Sequence, residues 1–289
     1  MNANFIFLYT SEQDPIVKAA KKACSSKTVF FIHVDDLLPY FSRGDWPKVI
    51  VGVFPKELRQ LFKDAIVVNR LFSFKHTKLN ELAASAGCTS AWLHAQLWEL
   101  LRYARELCYD TGAPGVSSSL LPLPTQWLRI KQRDPGLAIP QFAYGFGQQL
   151  PGLSGLKRPV RRTIWSIFDW RPEQDPSEVD GPHAFFVDRP DGEPVLIYYF
   201  GDSYQVVHMG DVIDIPPEKI ATLMSNVREV FKSATGEILT FVVDNEITFA
   251  AFSPHMETPS NDKNFDFALR TWMDRLVATC PVDAAAELA

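Results

Sequence analysis

Asp244-Asn245-Glu246-Ile247-Thr248-Phe249-Ala250-Ala251-Phe252-Ser253-Pro254 is a turn signal followed by a β-run that ends at proline. Asp and Asn tolerate the backbone of a tight turn, and proline cannot continue an interior strand. With Leu239–Val243 before it, the stretch predicts an antiparallel hairpin of Leu239–Val243 and Thr248–Phe252. Oxygen-bearing side chains on one face of such a hairpin can hold a hard divalent cation. Phe249, Ala250, Ala251 and Phe252 carry no such oxygen.

Outward from the hairpin, Pro216-Pro217-Glu218 predicts a helix start, because proline suits the first helical turn. That helix is expected to run to about Ala234 and to stop at Gly236. Asn264–Ala278 reads as a closing helix and the Ala-rich segment after Pro281 as a frayed tail. Tyr204–Met209 is expected as a strand after the turn Gly201-Asp202-Ser203. Ala184–Arg189 and Pro194–Phe200 flank Pro190-Asp191-Gly192-Glu193 and are expected to form a second hairpin.

Nearer the N-terminus, short β-runs alternate with amphipathic segments. Strands are expected at Phe5–Tyr9, Thr28–Val34, Val49–Phe54 and Ala65–Val68, with a helix from the cap cluster Ser11-Glu12-Gln13-Asp14-Pro15 to about Ala23. This alternation predicts parallel pairing in an α/β sheet. Apolar residues at helical spacing predict a helix over 90–110, ended by Gly112 and Pro114. Thr125–Arg133 reads as another helix and Ile139–Tyr144 as a short strand. Residues 145–183 read as irregular.

The 289 residues carry a formal net charge of -5 and are 46% hydrophobic. Length and composition allow one large domain or two modest ones. The acidic balance argues against broad nucleic-acid binding. No apolar run reaches the roughly 20 residues of a membrane span, and the start of the chain lacks the basic region of a signal peptide. Cys24, Cys88, Cys108 and Cys280 form no CxxC pair, which fits thiols in a reducing compartment. A cytoplasmic location is expected. The six histidines show no HxH, HxxxH or HExxH spacing, so no zinc site is read. Ser253-Pro254-His255 lacks a nucleophile elbow, and Cys88 in Ala86-Gly87-Cys88-Thr89-Ser90 reads as part of a capping turn, or as a helix-entry thiol of lowered pKa.

This order of elements resembles the ATP-grasp superfamily, most similarly its glutamate-ligase and peptide-modifying branch. The resemblance rests on Val67-Val68-Asn69-Arg70 closing the first sheet, Gly136 to Phe142 with its Ile139-Pro140 strand, Leu196 to Gly201-Asp202, and the helix-plus-acidic-hairpin from Pro216 to Pro254. It implies an α/β fold: an N-terminal parallel α/β domain (1–88), a central helical region (89–144), a shortened Arg/Pro/Gly-rich lid (145–193), a C-terminal α+β domain with antiparallel sheet (194–280), and a tail (281–289).

The resemblance also implies ATP and Mg²⁺ as cofactors, and here the chain departs from the pattern. A phosphate-binding lysine would fall near Thr125-Gln126, with Lys131 a turn and a half later. The lid offers Lys157, Arg158, Arg161 and Arg162 and no Gly-rich phosphate loop. The metal-binding Glu and Asn of the last strand would fall on Ala251 or Phe252 and on Ser253, leaving Asp244 near the first acidic position. Phosphoryl transfer is mostly positioning plus charge neutralisation, so the nucleotide site reads as degenerate.

Candidate cofactor-binding residues are Lys131, Arg161, Arg162 and Asp202. Arg158, Arg171, Arg189 and Trp170 are candidates for binding a substrate or partner. Arg161 and Arg162 would form an anion clamp, or a solvated loop. Asp244, Glu246 and Glu257, joined by Ser253 or His255, would hold one metal, or Asp244-Asn245-Glu246 is plain turn chemistry. Arg189 would pair with Asp191 or with a ligand. Besides an enzyme that reuses the cleft without ATP, two functions stay open. One is a binding or scaffold protein for a peptide, protein or small-molecule partner. The other is an ATP-dependent carboxylate–amine ligase using atypical residues.

Overall fold

The structure is a computed structural model, and it describes residues 5–23, 29–37, 56–63, 65–71, 77–85, 87, 97, 100–101, 105–106, 121–146, 152–162, 164, 183–254, 256 and 263–279. The first sheet has strands β1 (Phe5–Tyr9), β2 (Val29–His33), β3 (Ile66–Arg70) and β4 (Arg105–Glu106), in the order β2-β1-β3-β4 and all parallel. Every residue of β1 and β3 is buried, as expected of strands covered on both faces. Ile6, Leu8 and Val67 join one core, with α2 (Lys56–Phe62) and α3 (Lys78–Ser85). Phe7 and Val68 join another, with α1 (Pro15–Ala23).

Asp14 caps α1 as expected: its Oδ1 accepts the Ile16 and Val17 N–H groups at 2.9 and 3.1 Å. The strand expected at Val49–Phe54 lies outside the described residues. So does most of the helix expected over 90–110. Leu97, Leu100 and Leu101 are helical and buried, but Arg105–Glu106 form β4 against Ile66 and Val67. Apolar spacing cannot separate a last helical turn from a two-residue strand.

Helix α4 (Leu123–Arg133) leads to a three-stranded antiparallel sheet of β5 (Phe142–Phe146), β7 (His183–Asp188) and β6 (Pro159–Arg162), in the order β5-β7-β6. The strand expected at Ile139–Tyr144 thus starts later, and the Arg-rich segment inside 145–183 is a strand where irregular chain was expected. Asp188 fixes it, accepting the backbone N–H groups of Lys157 and Arg158 at 2.7 and 2.8 Å.

The remaining sheet is antiparallel, in the order β11-β10-β8-β9, from β8 (Glu193–Phe200), β9 (Ser203–His208), β10 (Thr235–Val243) and β11 (Glu246–Ser253). The β10–β11 hairpin forms as expected, with Val243 opposite Glu246 across Asp244 and Asn245. Both turn residues have positive φ, 49° and 63°, which is type I′ geometry. The hairpin expected between Ala184–Arg189 and Pro194–Phe200 does not form. β8 has β10 on one edge and β9 on the other, so β7 pairs with β5 and β6. The Pro-Asp-Gly turn carries the chain between two sheets. Gly192 is required there, with φ of 97° and no room for a Cβ against the Val242 carbonyl oxygen.

Helix α5 (Pro217–Phe231) covers one face of this sheet and ends at Lys232, in the left-handed region at φ 52°. Gly236, expected as the helix stop, is inside β10, where a Cβ would strike the Phe252 ring. Phe231 stacks on Phe249 and Phe252, with centroids 6.3 and 4.6 Å apart. The opposite face meets α6 (Lys263–Thr279), where Phe265 sits edge-on to Tyr198 and Phe200. Among the described residues no helix is long and apolar enough to cross a membrane.

Candidate functional site

The outer edge of β11 is closed by side chains of α4. Gln126 donates through Nε2 to the Phe252 carbonyl at 3.1 Å and accepts the Phe252 N–H at 2.8 Å. Trp127 Nε1 donates to the Ala250 carbonyl at 2.8 Å, and the Phe249 N–H donates to Ala138 O at 2.9 Å. This wraps the hairpin that should carry a cation into the core. Trp127 also packs on Phe142 and Phe185 of the three-stranded sheet, with centroids 5.2 and 5.8 Å apart.

Side chains in register across an antiparallel sheet share a face. One row on the α6 side is Val207, Leu196, Leu239 and Ala251. It is apolar at the position where the resemblance calls for an acidic ligand. The next row is polar: Gln205, Tyr198, Glu237 and Ser253. All four are buried, Glu237 at 1% exposure. Glu237 lies outside the candidate residues read from the sequence. Starting the strand at Leu239 hides it, whereas strict alternation extended back to Thr235 places it beside Leu239 on one face.

The structure separates the candidate metal ligands. Asp244 is exposed at the hairpin tip, while Ser253 is at the far end of β11, seven residues from Glu246 or roughly 23 Å of extended strand. One ion cannot span them. Glu246 pairs with Lys219, at 2.9 Å. Glu257 and His255 lie outside the described residues. Among the described residues no group of three or more His, Cys, Asp or Glu is placed to hold a metal. The described residues do not fit a Mg²⁺ site around Asp244.

The cations disperse as well. Lys131 donates to the Pro135 carbonyl at 2.6 Å. Arg158 pairs with Asp191, the partner expected for Arg189, and Arg189 instead lies 5.9 Å from the centre of the Phe241 ring. Arg161 and Arg162 are consecutive on β6 and point to opposite faces. Arg162 is in register with buried Phe185 and Arg161 with Phe186, so the two do not form one clamp. Asp202 is exposed and pairs with Arg228 of α5 at 2.6 Å. Arg171 and Trp170 lie outside the described residues.

The C-terminal ends of parallel strands are where open α/β sheets form ligand crevices. Here Arg70 fills that place. Its Nε donates to Asp14 Oδ2 at 2.9 Å and its Nη1 to the Pro254 carbonyl at 2.7 Å. Beside it, Tyr9 donates to Glu12 at 2.6 Å, and Lys21 donates to both, at 2.9 and 2.7 Å. The Lys21 hydrogen bond holds the Glu12 carboxyl below its ordinary range. Burial, and then the bond to Glu12, push the Tyr9 phenol up. Burial works against the Lys21 charge, but the bonds to Glu12 and Tyr9 outweigh it and raise that amine.

No family model matches the chain, and no curated protein matches it. Solved structures do. The ATP-grasp ligase PsnB complexed with precursor peptide PsnA2 and AMPPNP has a TM-score of 0.61 at 10% identity, over 97% of this chain and 98% of its own. The macrocyclase MdnC bound with precursor peptide MdnA, from Microcystis aeruginosa, has a TM-score of 0.59 at 13% identity, over 94% and 99%. D-alanine–D-alanine ligase from Bacillus anthracis complexed with ATP has 0.55 at 10%, over 96% and 97%. The chain has the ATP-grasp fold.

Proposed function

We propose that this ATP-grasp fold serves as a binding or scaffold protein for a peptide or protein partner, without the phosphoryl chemistry of the ligases that share the fold. One observation carries the reading. Phe249, Ala250, Ala251 and Phe252 are core residues, buried and clasped by Gln126 and Trp127 where a ligase of this kind needs ligands for Mg²⁺. A triphosphate brings several negative charges, and an apolar row cannot offset them. The dispersal of Lys131, Arg158, Arg161 and Arg162 supports the same reading. Two of the similar ligases are recorded with precursor peptides, which supports a peptide as the partner class.

Glu237 favours a second reading, an ATP-dependent carboxylate–amine ligase with atypical residues. It sets one carboxylate directly across from Ser253. Thermal shift with ATP and Mg²⁺ decides between the two, because a ligand that binds only the folded chain must raise its melting temperature. The binding-protein reading expects no shift at millimolar nucleotide. A clear shift that is lost in Glu237→Gln would overturn the nucleotide-free reading and favour the ligase instead.

A further inference from the structure

A pocket of about 270 Å³ opens between the link from α4 to β5, the first turns of α5, and the start of β11. Of the candidate nucleotide and metal residues, Glu246 alone lines it. Leu137, Leu223 and Ile247 give it an apolar floor, and Leu223 and Ile247 are themselves buried. The volume lies below the range of drug-sized sites and suits one long side chain.

The wall is charged, and its charges have distinct duties. Asp134 is held inward, accepting the Gly136 and Leu137 N–H groups through Oδ1 and the Asn226 amide through Oδ2. Glu246 is exposed and is paired with Lys219. Glu218 is exposed on the first turn of α5 and has no ion partner among the described residues. Three carboxylates and one ammonium leave the lining two negative charges in excess. An apolar floor under an acidic wall complements a side chain with a methylene stem and a cationic head.

We propose that this pocket binds the arginine or lysine side chain of a peptide, with the stem on Leu137, Leu223 and Ile247 and the head between Glu218 and Glu246. Lys219 holds Glu246 until the guest arrives and competes with it. The peptide as source rests on the partner-binding reading above, whereas the charge preference rests on the pocket alone.

The test titrates the intact chain with N-acetyl-arginine amide, its neutral counterpart N-acetyl-citrulline amide, and agmatine, followed by NMR. Saturable binding of the arginine amide with none for citrulline is expected. Glu218→Gln/Glu246→Gln should weaken it at least about threefold, while Lys219→Met should strengthen it about two- to fivefold by removing the competing charge. Asp266→Asn, on α6 over the opposite face of the sheet and paired with Lys22, should leave it unchanged. Equal binding of citrulline, indifference to the glutamates, or weaker binding in Lys219→Met would overturn the proposal. Binding of agmatine alone would overturn the peptide assignment. No outcome depends on nucleotide, so a failure here is distinct from a failure of the binding-protein reading.

Discussion

Arg70 and Asp14 form an ion pair in the interior, their side chains 1% and 2% exposed, with Arg70 Nη2 and Nε each 2.9 Å from Asp14 Oδ2. Through Pro254 the same guanidinium ties the end of the first sheet to the end of β11. Arg70→Met leaves the Asp14 carboxylate buried without its counter-charge and should cost about 3–5 kcal/mol in urea unfolding. Asp14→Asn/Arg70→Met should recover part of that loss. A double variant whose cost is the plain sum of the two single ones would show that the pair is not coupled.

Gln126→Leu removes both partners of the Phe252 backbone at a buried edge. Each orphaned group costs roughly 1–3 kcal/mol, so a total of about 2–4 kcal/mol is expected. Trp127→Phe keeps most of the packing and should cost less. If equilibrium unfolding finds Gln126→Leu neutral, the α4 clasp contributes nothing to holding the hairpin.

The Tyr9–Glu12–Lys21 cluster gives a pH signature. The Glu12 carboxyl is lowered, so its contribution is present above the ordinary carboxylate range and is lost as pH falls through the lowered value. The Lys21 amine and the Tyr9 phenol are raised, so theirs is present below their ordinary ranges and lost as pH climbs. Glu12→Gln should therefore destabilise at neutral pH, by less than about 1 kcal/mol because the pair is half open to water. The difference from the parent should vanish in acid. A difference that widens on acidification contradicts the assignment.

At the hairpin tip, Asn245→Gly should be neutral or stabilising and Asn245→Val should cost about 1–2 kcal/mol, since φ is 63° there. Asp244→Gly should be equally tolerated if that residue serves the turn alone. Melting temperatures across this series would settle it, and a steep loss in Asp244→Gly would assign the carboxylate another task.

Features written locally in the chain were legible in sequence. The Asp14 cap, the apolar runs of β1 and β3, and the Asp244-Asn245 turn each depend on neighbours a few residues away. What escaped depends on remote partners. Val160, Arg161 and Arg162 become a strand because β7 lies beside them, and no apolar alternation announces it. The turn at Pro190-Asp191-Gly192 was visible, but its strands pair with others because β10 and β9 already occupy both edges of β8. Glu237 gains interest only through a register that sets it across from Ser253. Arg161 and Arg162 look like one cationic patch until strand geometry divides them.

The side chains of α4 that seal β11 also bear on self-association. An open, apolar strand edge is a template for pairing with a second molecule, and Ile247 to Phe252 has the composition of an aggregation-prone segment. Gln126 and Trp127 occupy the groups that such pairing would use. Loosening that helix would therefore turn the hairpin into a seed for fibre-like assembly before the rest of the chain unfolds.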